Sequence, residues 1–187
     1  MRRNKARVFD EYLAASARAG DRDAFNRLAA RWQPKLLAHA CRLTGDAEMG
    51  RDAAQDGWSD IVKGLPRLND AALFPAWAYR IVTRRATDAI RRTVRTRKLS
   101  AAYAAEPAAA SLSAEGIEAA ADRGPLNQAL RALPPEQRAV IALHYREGFS
   151  VAEIAAVLET PAGTVKTRLM HARRKLRDAL EGGKSDD

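Results

Sequence analysis

Cysteine is almost missing: Cys41 is the only one in 187 residues, so no disulfide can form within the chain, and a finger-type zinc site would lack its sulfur pairs. A free thiol of this kind is expected in or at the edge of a core. Histidine is scarce as well. His39, His144 and His171 fall on separate predicted helices, and no Gly-rich phosphate loop, metal pair or nucleophile elbow accompanies them. These gaps argue against an enzyme, and no cofactor or metal is implied. Apolar runs are only a few residues long, far short of the ~20 that cross a bilayer as a helix. No signal-peptide core follows the basic N-terminus, so the expected setting is cytoplasmic, without membrane insertion. Aromatics are only 6% of a chain that is 47% hydrophobic, and alanine is abundant, which favours helices packed through small residues over sheets. The expected fold class is all-α.

What is present in excess is positive charge. Lys and Arg number 32 against 23 acidic residues, for a formal net charge of +9 and a pI near 10.2. That balance suits a polyanionic partner. The length fits two small domains better than one, because a sparse stretch separates two well-patterned blocks.

From Val8 to Thr44 apolar residues recur at helical spacing, with Phe25, Leu28, Trp32, Leu36, Leu37 and Ala40 on one face. Gly45-Asp46 signals a turn. Ala53, Ala54, Trp58, Ile61, Val62 and Leu65 then continue the period until Gly64 and Pro66 stop it. Arg67 to Phe74 reads as a loop, and Trp77, Ile81, Ala86 and Ile90 rebuild a helix with a very basic end. The first domain is placed at 8–98. Residues 99–124 are Ala-rich, with Pro107, Gly116 and Gly124 and few large apolar residues, and read as a flexible linker. The second domain, 125–181, opens with a helix from Leu126 to Leu133. After Pro134-Pro135 a helix bearing Val140, Ile141, Leu143 and Tyr145 follows, ending at Gly148.

The sharpest signal lies near the C-terminus. Ser150 and Glu153 form a capping box that starts a short helix with Val151, Ile154, Ala155 and Leu158 as its expected buried face. Thr160 is read as the cap of a second helix, with Pro161 at its first position. There Val165, Leu169, Ala172, Leu176 and Leu180 make one apolar stripe and leave Lys166, Thr167, Met170, His171, Arg173 and Arg174 outside. A helix apolar on one face and basic on the other can enter a major groove, with residues near its N-terminus on base edges and Lys or Arg on flanking phosphates.

The run from Ala129 to Leu180 resembles region four of the sigma-70 family. Its signatures are Leu133-Pro134-x-Glu136-x-Arg138, Glu147-Gly148-Phe149-Ser150, Glu153-Ile154-Ala155 and Gly163-Thr164-Val165-Lys166-Thr167-Arg168-Leu169. The first block, GDAEMGRDAAQDGWSDIVKGLPRL followed by FPAWAYRIVTRRATDAIRR, is similar to region two of the same family: Asp52, Gln55 and Trp58 keep the family spacing, as do Trp77, Tyr79, Arg80, Ile81, Asp88 and Arg91-Arg92. The resemblance is to the small two-domain, extracytoplasmic-function sigma factors. It implies a protein that binds core RNA polymerase and directs promoter recognition and DNA melting.

The same resemblance distributes the work. Lys166, Thr167, Met170 and His171, with Arg173 and Arg174 beside them, would meet the minus-thirty-five element; the family often has Arg where His171 stands. Asp52, Gln55, Asp56 and Ser59 would dock on the polymerase clamp helices. The minus-ten element would be held by Asn69 and Asp70 of the loop together with Trp77, Arg80, Arg84, Arg85, Arg91 and Arg92; Trp77, at helical spacing with Ile81, also reads as core. At Arg84 the family commonly has Asn, and Asp56-Gly57-Trp58 replaces its usual acidic-apolar-Phe run. Independently of resemblance, Arg80, Arg84, Arg85, Arg91, Arg92, Arg95, Arg97 and Lys98 crowd so many cations into nineteen residues that a phosphate partner is expected. The linker acids Glu106, Glu115, Glu118 and Asp122 would thread the polymerase cleft, an anti-sigma factor would hold the protein inactive, and outside the holoenzyme it would be a monomer. Two other readings stand beside this one: a polymerase-independent helix-turn-helix regulator, and a sigma-like decoy for an anti-sigma protein.

Overall fold

A computed structural model describes residues 5–103 and 124–182, the side chains of 97–103 excepted. Every regular element among them is helical. The first unit comprises α1 (Lys5–Arg18), α2 (Arg22–Thr44), α3 (Ala47–Gly64) and α4 (Phe74–Tyr103); the second comprises α5 (Pro125–Ala132), α6 (Pro135–Ile141), α7 (Val151–Leu158) and α8 (Ala162–Gly182). The segment expected as a plain loop after Pro66 contains two short 3-10 turns, Leu65–Arg67 and Ala71–Leu73, and α4 runs five residues past the boundary placed at 98. The linker acids lie outside the described residues.

Local chemistry sets the helix ends. Asp21 accepts a bond from the Ala24 amide at 3.0 Å and starts α2, and Asp46 accepts one from Met49 at 2.8 Å and starts α3. Between them Gly45 adopts φ 70° and returns its N–H to the Cys41 carbonyl, closing α2. The α2–α3 hairpin is therefore dictated by two adjacent residues, Gly45 and Asp46.

The first core centres on Trp32. Its ring meets Phe74 at 5.4 Å and Tyr79 at 5.8 Å, both edge-on, and Tyr79 meets His39 at 4.9 Å. Such pairs contribute about 0.5–1.5 kcal/mol each beyond the area they bury. Glycine lets the helices approach: a Cβ on Gly57 would lie 2.7 Å from a Val82 methyl, and one on Gly50 would lie 2.6 Å from the Cys41 Cα. Cys41 is half-buried at that contact, as its type suggested.

Periodicity located the helices better than it located their buried faces. Leu28, Trp32, Leu36 and Ala40 are buried as expected, joined by Ala24, His39 and Leu43, while Phe25 and Leu37 sit at the edge. Val62 is 52% exposed, contrary to expectation. On α4 the buried set is Phe74, Ala78, Tyr79, Val82, Thr83 and Ala86, with Trp77, Ile81 and Ile90 half-buried. Val82 is what fits against Gly57 of α3, so the face turns toward that contact. On α7 Ile154 and Val157 are buried, whereas Val151, Ala155 and Leu158 are only half-buried.

The two units share one continuous core. Phe149 of the second packs edge-on against Tyr79 of the first at 5.4 Å. Arg138 reaches across to the Leu43 carbonyl at 2.9 Å while also bonding the carbonyls of Arg131 and Leu133 at 2.6 and 3.0 Å. It thus satisfies carbonyls at the C-terminal ends of α2 and α5, where a cation is favoured. Burial lowers its pKa from the ordinary arginine value. The Arg7 and Glu153 side chains add a looser bridge at 3.7 Å.

Candidate nucleic-acid interface

The helix-turn-helix is built as a chain of caps. Ser150 Oγ accepts from the Glu153 amide at 3.2 Å, and the Glu153 carboxylate accepts from the Ser150 amide at 2.8 Å, so the capping box is complete. α7 ends at Glu159, the one non-glycine residue with positive φ among those described, at 49°. Thr160 does not cap α8. Its hydroxyl donates back to the Leu158 carbonyl at 2.9 Å, and the first bond of α8 runs from the Val165 amide to the Pro161 carbonyl at 3.1 Å. Pro161 therefore stands at the cap position, one place earlier than expected, where its missing N–H is equally harmless.

α8 buries Val165, Leu169 and Ala172, half-buries Leu176, and leaves Leu180 37% exposed, so the expected stripe fades in the last turns. Lys166, Thr167, Met170, Arg173 and Arg174 are exposed together and His171 is half-exposed. Met170, 58% exposed, is an apolar side chain set among donors, suited to a thymine methyl.

The first unit offers two further surfaces. On α3, Asp52, Gln55, Asp56 and Ser59 are all exposed at i, i+3, i+4 and i+7 and form one polar strip. Near its end Asp60 binds Arg85 at 2.6 Å and raises the pKa of that guanidinium. The basic run of α4 is thus divided. Arg85 is held by Asp60, Arg91 lies 3.7 Å from Asp88, Arg80 is paired with Glu159 of the helix-turn-helix, and Arg84, Arg92 and Arg95 are exposed. The side chains of Arg97 and Lys98 lie outside the described residues.

Between α3 and α4 the two 3-10 turns frame a half-open cavity of about 370 Å³, lined by Gly64, Arg67, Leu68, Asn69, Asp70, Leu73 and Trp77. Trp77 packs against Phe74 at 6.2 Å and also lines the cavity. Its indole is seated over Gly64, where a Cβ would come within 2.8 Å of the ring. Asp70 turns its carboxylate onto the Ala72 amide at 2.9 Å, a capping role. Arg18 donates to the Leu68 and Asn69 carbonyls at 2.8 and 2.9 Å and so fixes the cavity wall from α1.

Arg18 escaped the sequence reading, and so did Glu147, whose carboxylate accepts from Arg42 at 2.7 Å and from the Tyr79 hydroxyl. Glu147 stands in a motif already singled out, but its partners lie 105 and 68 positions away. Burial and the Glu147 carboxylate push the Tyr79 phenol up, so it stays protonated and donates. No group of three His, Cys, Asp or Glu able to hold a metal occurs among the described residues, and none of their helices is long and apolar enough to cross a membrane.

Two family models match the chain: sigma-70 region 2 over residues 28–96 and sigma-70 region 4 over residues 123–176. The RNA polymerase sigma-H factor of Pseudomonas aeruginosa is 29% identical over 182 residues, covering 92% of this chain and 94% of that protein. The ECF RNA polymerase sigma factor SigM of Mycobacterium tuberculosis is 32% identical over 174 residues, covering 89% and 82%. Among solved structures, the sigma factor RpoE of Bartonella quintana, in complex with the anti-sigma factor NepR, superposes with a TM-score of 0.67 at 25% identity over 87% of this chain and 98% of that one. CnrH in complex with the cytosolic domain of CnrY gives 0.66 at 28% identity over 93% and 98%. With both regions matched in order, and relatives aligned along nearly the whole length, the chain belongs to the sigma-70 family of RNA polymerase sigma factors and, within it, to the extracytoplasmic-function type.

Proposed function

We propose that this sigma factor binds core RNA polymerase through the Asp52, Gln55, Asp56 and Ser59 strip, reads the minus-thirty-five element with α8, and holds the opened minus-ten element at the cavity beside Trp77. The observation that carries the reading is the start of α8: directly after the left-handed turn at Glu159, Lys166, Thr167, Met170 and His171 face outward over a buried Val165–Leu169–Ala172 seam. Those first turns reach base edges, and Arg173 and Arg174 lie one turn further on, where phosphates flank the groove.

The cavity is large enough for a small planar ligand and has an indole on its wall, which suits one base that has left the stack. Exposed Arg84 and Arg92 supply phosphate contacts along the same helix. Arg80 reaches DNA only by leaving Glu159, so that ion pair and promoter binding are alternatives. The protein contributes binding and strand separation, and the polymerase performs the chemistry. Cytoplasmic residence follows from that partner. The structural relative RpoE is bound by the anti-sigma factor NepR, which supports a partner of the same class here.

The test is run-off transcription on fragmented genomic DNA with core polymerase, with and without the protein, mapping RNA 5′ ends. New starts sharing two upstream elements at fixed spacing are expected. If no start depends on the protein while a known sigma works in parallel, the reading falls, and polymerase-independent binding to palindromic sites becomes the alternative to pursue.

A further inference from the structure

Tyr145 departs from its expected place more than any other residue of the second unit. Four positions after buried Ile141 it belongs on the apolar face of an α-helix, yet it is 59% exposed. The cause is the π-turn Ala142–Arg146 that continues α6. Its wider winding lags the α-helical phase by about a quarter turn over five residues, which swings Tyr145 off the core and toward α8.

There it meets Arg173. The guanidinium carbon stands 5.6 Å from the Tyr145 ring centroid, and Arg173 Nε donates to the Tyr145 hydroxyl at 2.8 Å. Behind the tyrosine, the His144 ring packs edge-on at 4.9 Å, and its Nδ1 lies 3.0 Å from the Phe149 carbonyl, so the aromatic platform is tied to the backbone. No carboxylate among the described residues pairs with Arg173.

Resting on the promoter-binding reading above, we propose that Tyr145 and Arg173 form a clamp for one DNA phosphate at the edge of the groove entered by α8. Tyr145 is the positioning residue. With Nε and the ring face occupied, Arg173 keeps its two terminal amino groups for an oxygen pair, the geometry in which guanidinium takes phosphate bidentately. The Tyr145 hydroxyl, accepting from Nε, fixes the plane in which the guanidinium presents those two groups. Arg173 shares the exposed side of α8 with Met170, three residues earlier, so the clamp fixes how deeply the base-reading residues sit without itself reading a base.

The experiment uses holoenzyme assembled from core polymerase and the full chain, with labelled duplexes from two start sites mapped by run-off transcription, titrated across a salt series. Arg173→Ala is expected to weaken both duplexes equally and to reduce the slope of log affinity against log salt by about 0.9, one phosphate's worth. Tyr145→Phe, which keeps the ring, is expected to weaken both by about three- to tenfold in the wild-type background. In the Arg173→Ala background the same change should cost less than half of that. Thermal melts confirm that each variant folds, which an exposed side chain should allow. The clamp is overturned if the Tyr145→Phe loss is absent, equal in both backgrounds, or confined to one duplex. If wild-type holoenzyme binds neither duplex, the promoter reading fails and the clamp with it; if wild type binds and only the coupling is missing, the clamp alone fails.

Discussion

Arg42 and Glu147, 105 positions apart, meet at 2.7 Å, with the Glu147 side chain only 13% exposed. The Tyr79 hydroxyl donates to the same carboxylate, so one acid of the second unit joins two helices of the first. Replacing Glu147 by Ala strands a guanidinium and a phenol in a region of restricted water, at a cost of about 2–4 kcal/mol. Urea unfolding of Glu147→Ala should register that loss, and Glu147→Gln, which still accepts from Tyr79, should lose less. Equal stability of all three forms would show that the contact does not hold the units together.

His39 predicts a pH dependence. Burial, reinforced by Arg42, lowers its pKa from 6.5 to about 3, while its Nε2 lies 2.8 Å from the Thr83 hydroxyl. The unfolded chain therefore takes up a proton that the folded chain refuses. The contribution is complete above pH 6.5 and is lost as pH falls toward 3, with a slope of up to about 1.4 kcal/mol per pH unit. The window to read is pH 6.5 to 5, the upper part of that range. His39→Leu should flatten the stability profile there relative to wild type, measured by chemical denaturation at each pH.

Glu159 carries both strain and charge. A side chain in the left-handed region costs more than glycine does, so Glu159→Gly should raise the melting temperature through a gain of about 0.5–1 kcal/mol. Glu159→Gln keeps the turn but removes the charge facing Arg80. Because exposed ion pairs contribute up to about 1 kcal/mol, promoter affinity of the holoenzyme should rise by at most about fivefold. No change or a fall in affinity would mean that the Arg80–Glu159 pair does not compete with promoter binding.

Gly50 and Gly57 permit the close contacts of α3 with α2 and with α4. Gly50→Ala would press a methyl onto Cys41 backbone, which cannot rotate away, whereas Gly57→Ala would meet a Val82 methyl. Both should destabilise, by about 1–3 kcal/mol for Gly57→Ala and by more for Gly50→Ala, as read from urea midpoints.

Much of the candidate site was legible because it is local. The capping box of Ser150 and Glu153, and the alternation of buried Val165, Leu169 and Ala172 with exposed Lys166, Thr167 and Met170, follow from residues within one or two turns of each other. So does the α2–α3 hairpin at Gly45-Asp46. Thr160 suits a cap by sequence alone for the complementary reason: its hydroxyl has acceptable partners on either side, and in the turn that follows left-handed Glu159 it bonds the Leu158 carbonyl.

The amino-acid sequence by itself determined the all-α class, the α2–α3 turn, the capped start of α7 and the solvent-facing side of α8, since caps, turns and 3.6-residue periodicity act over a few bonds. Tertiary structure alone decided which face of α4 is buried, that Arg80 and Arg85 are already paired with acids, that Glu147 joins the two units, and that a π-turn swings Tyr145 onto Arg173. Those outcomes depend on which helices come together and how closely. That is settled by small residues such as Gly50 and Gly57 and by partners many tens of positions away, beyond the range of any local signal.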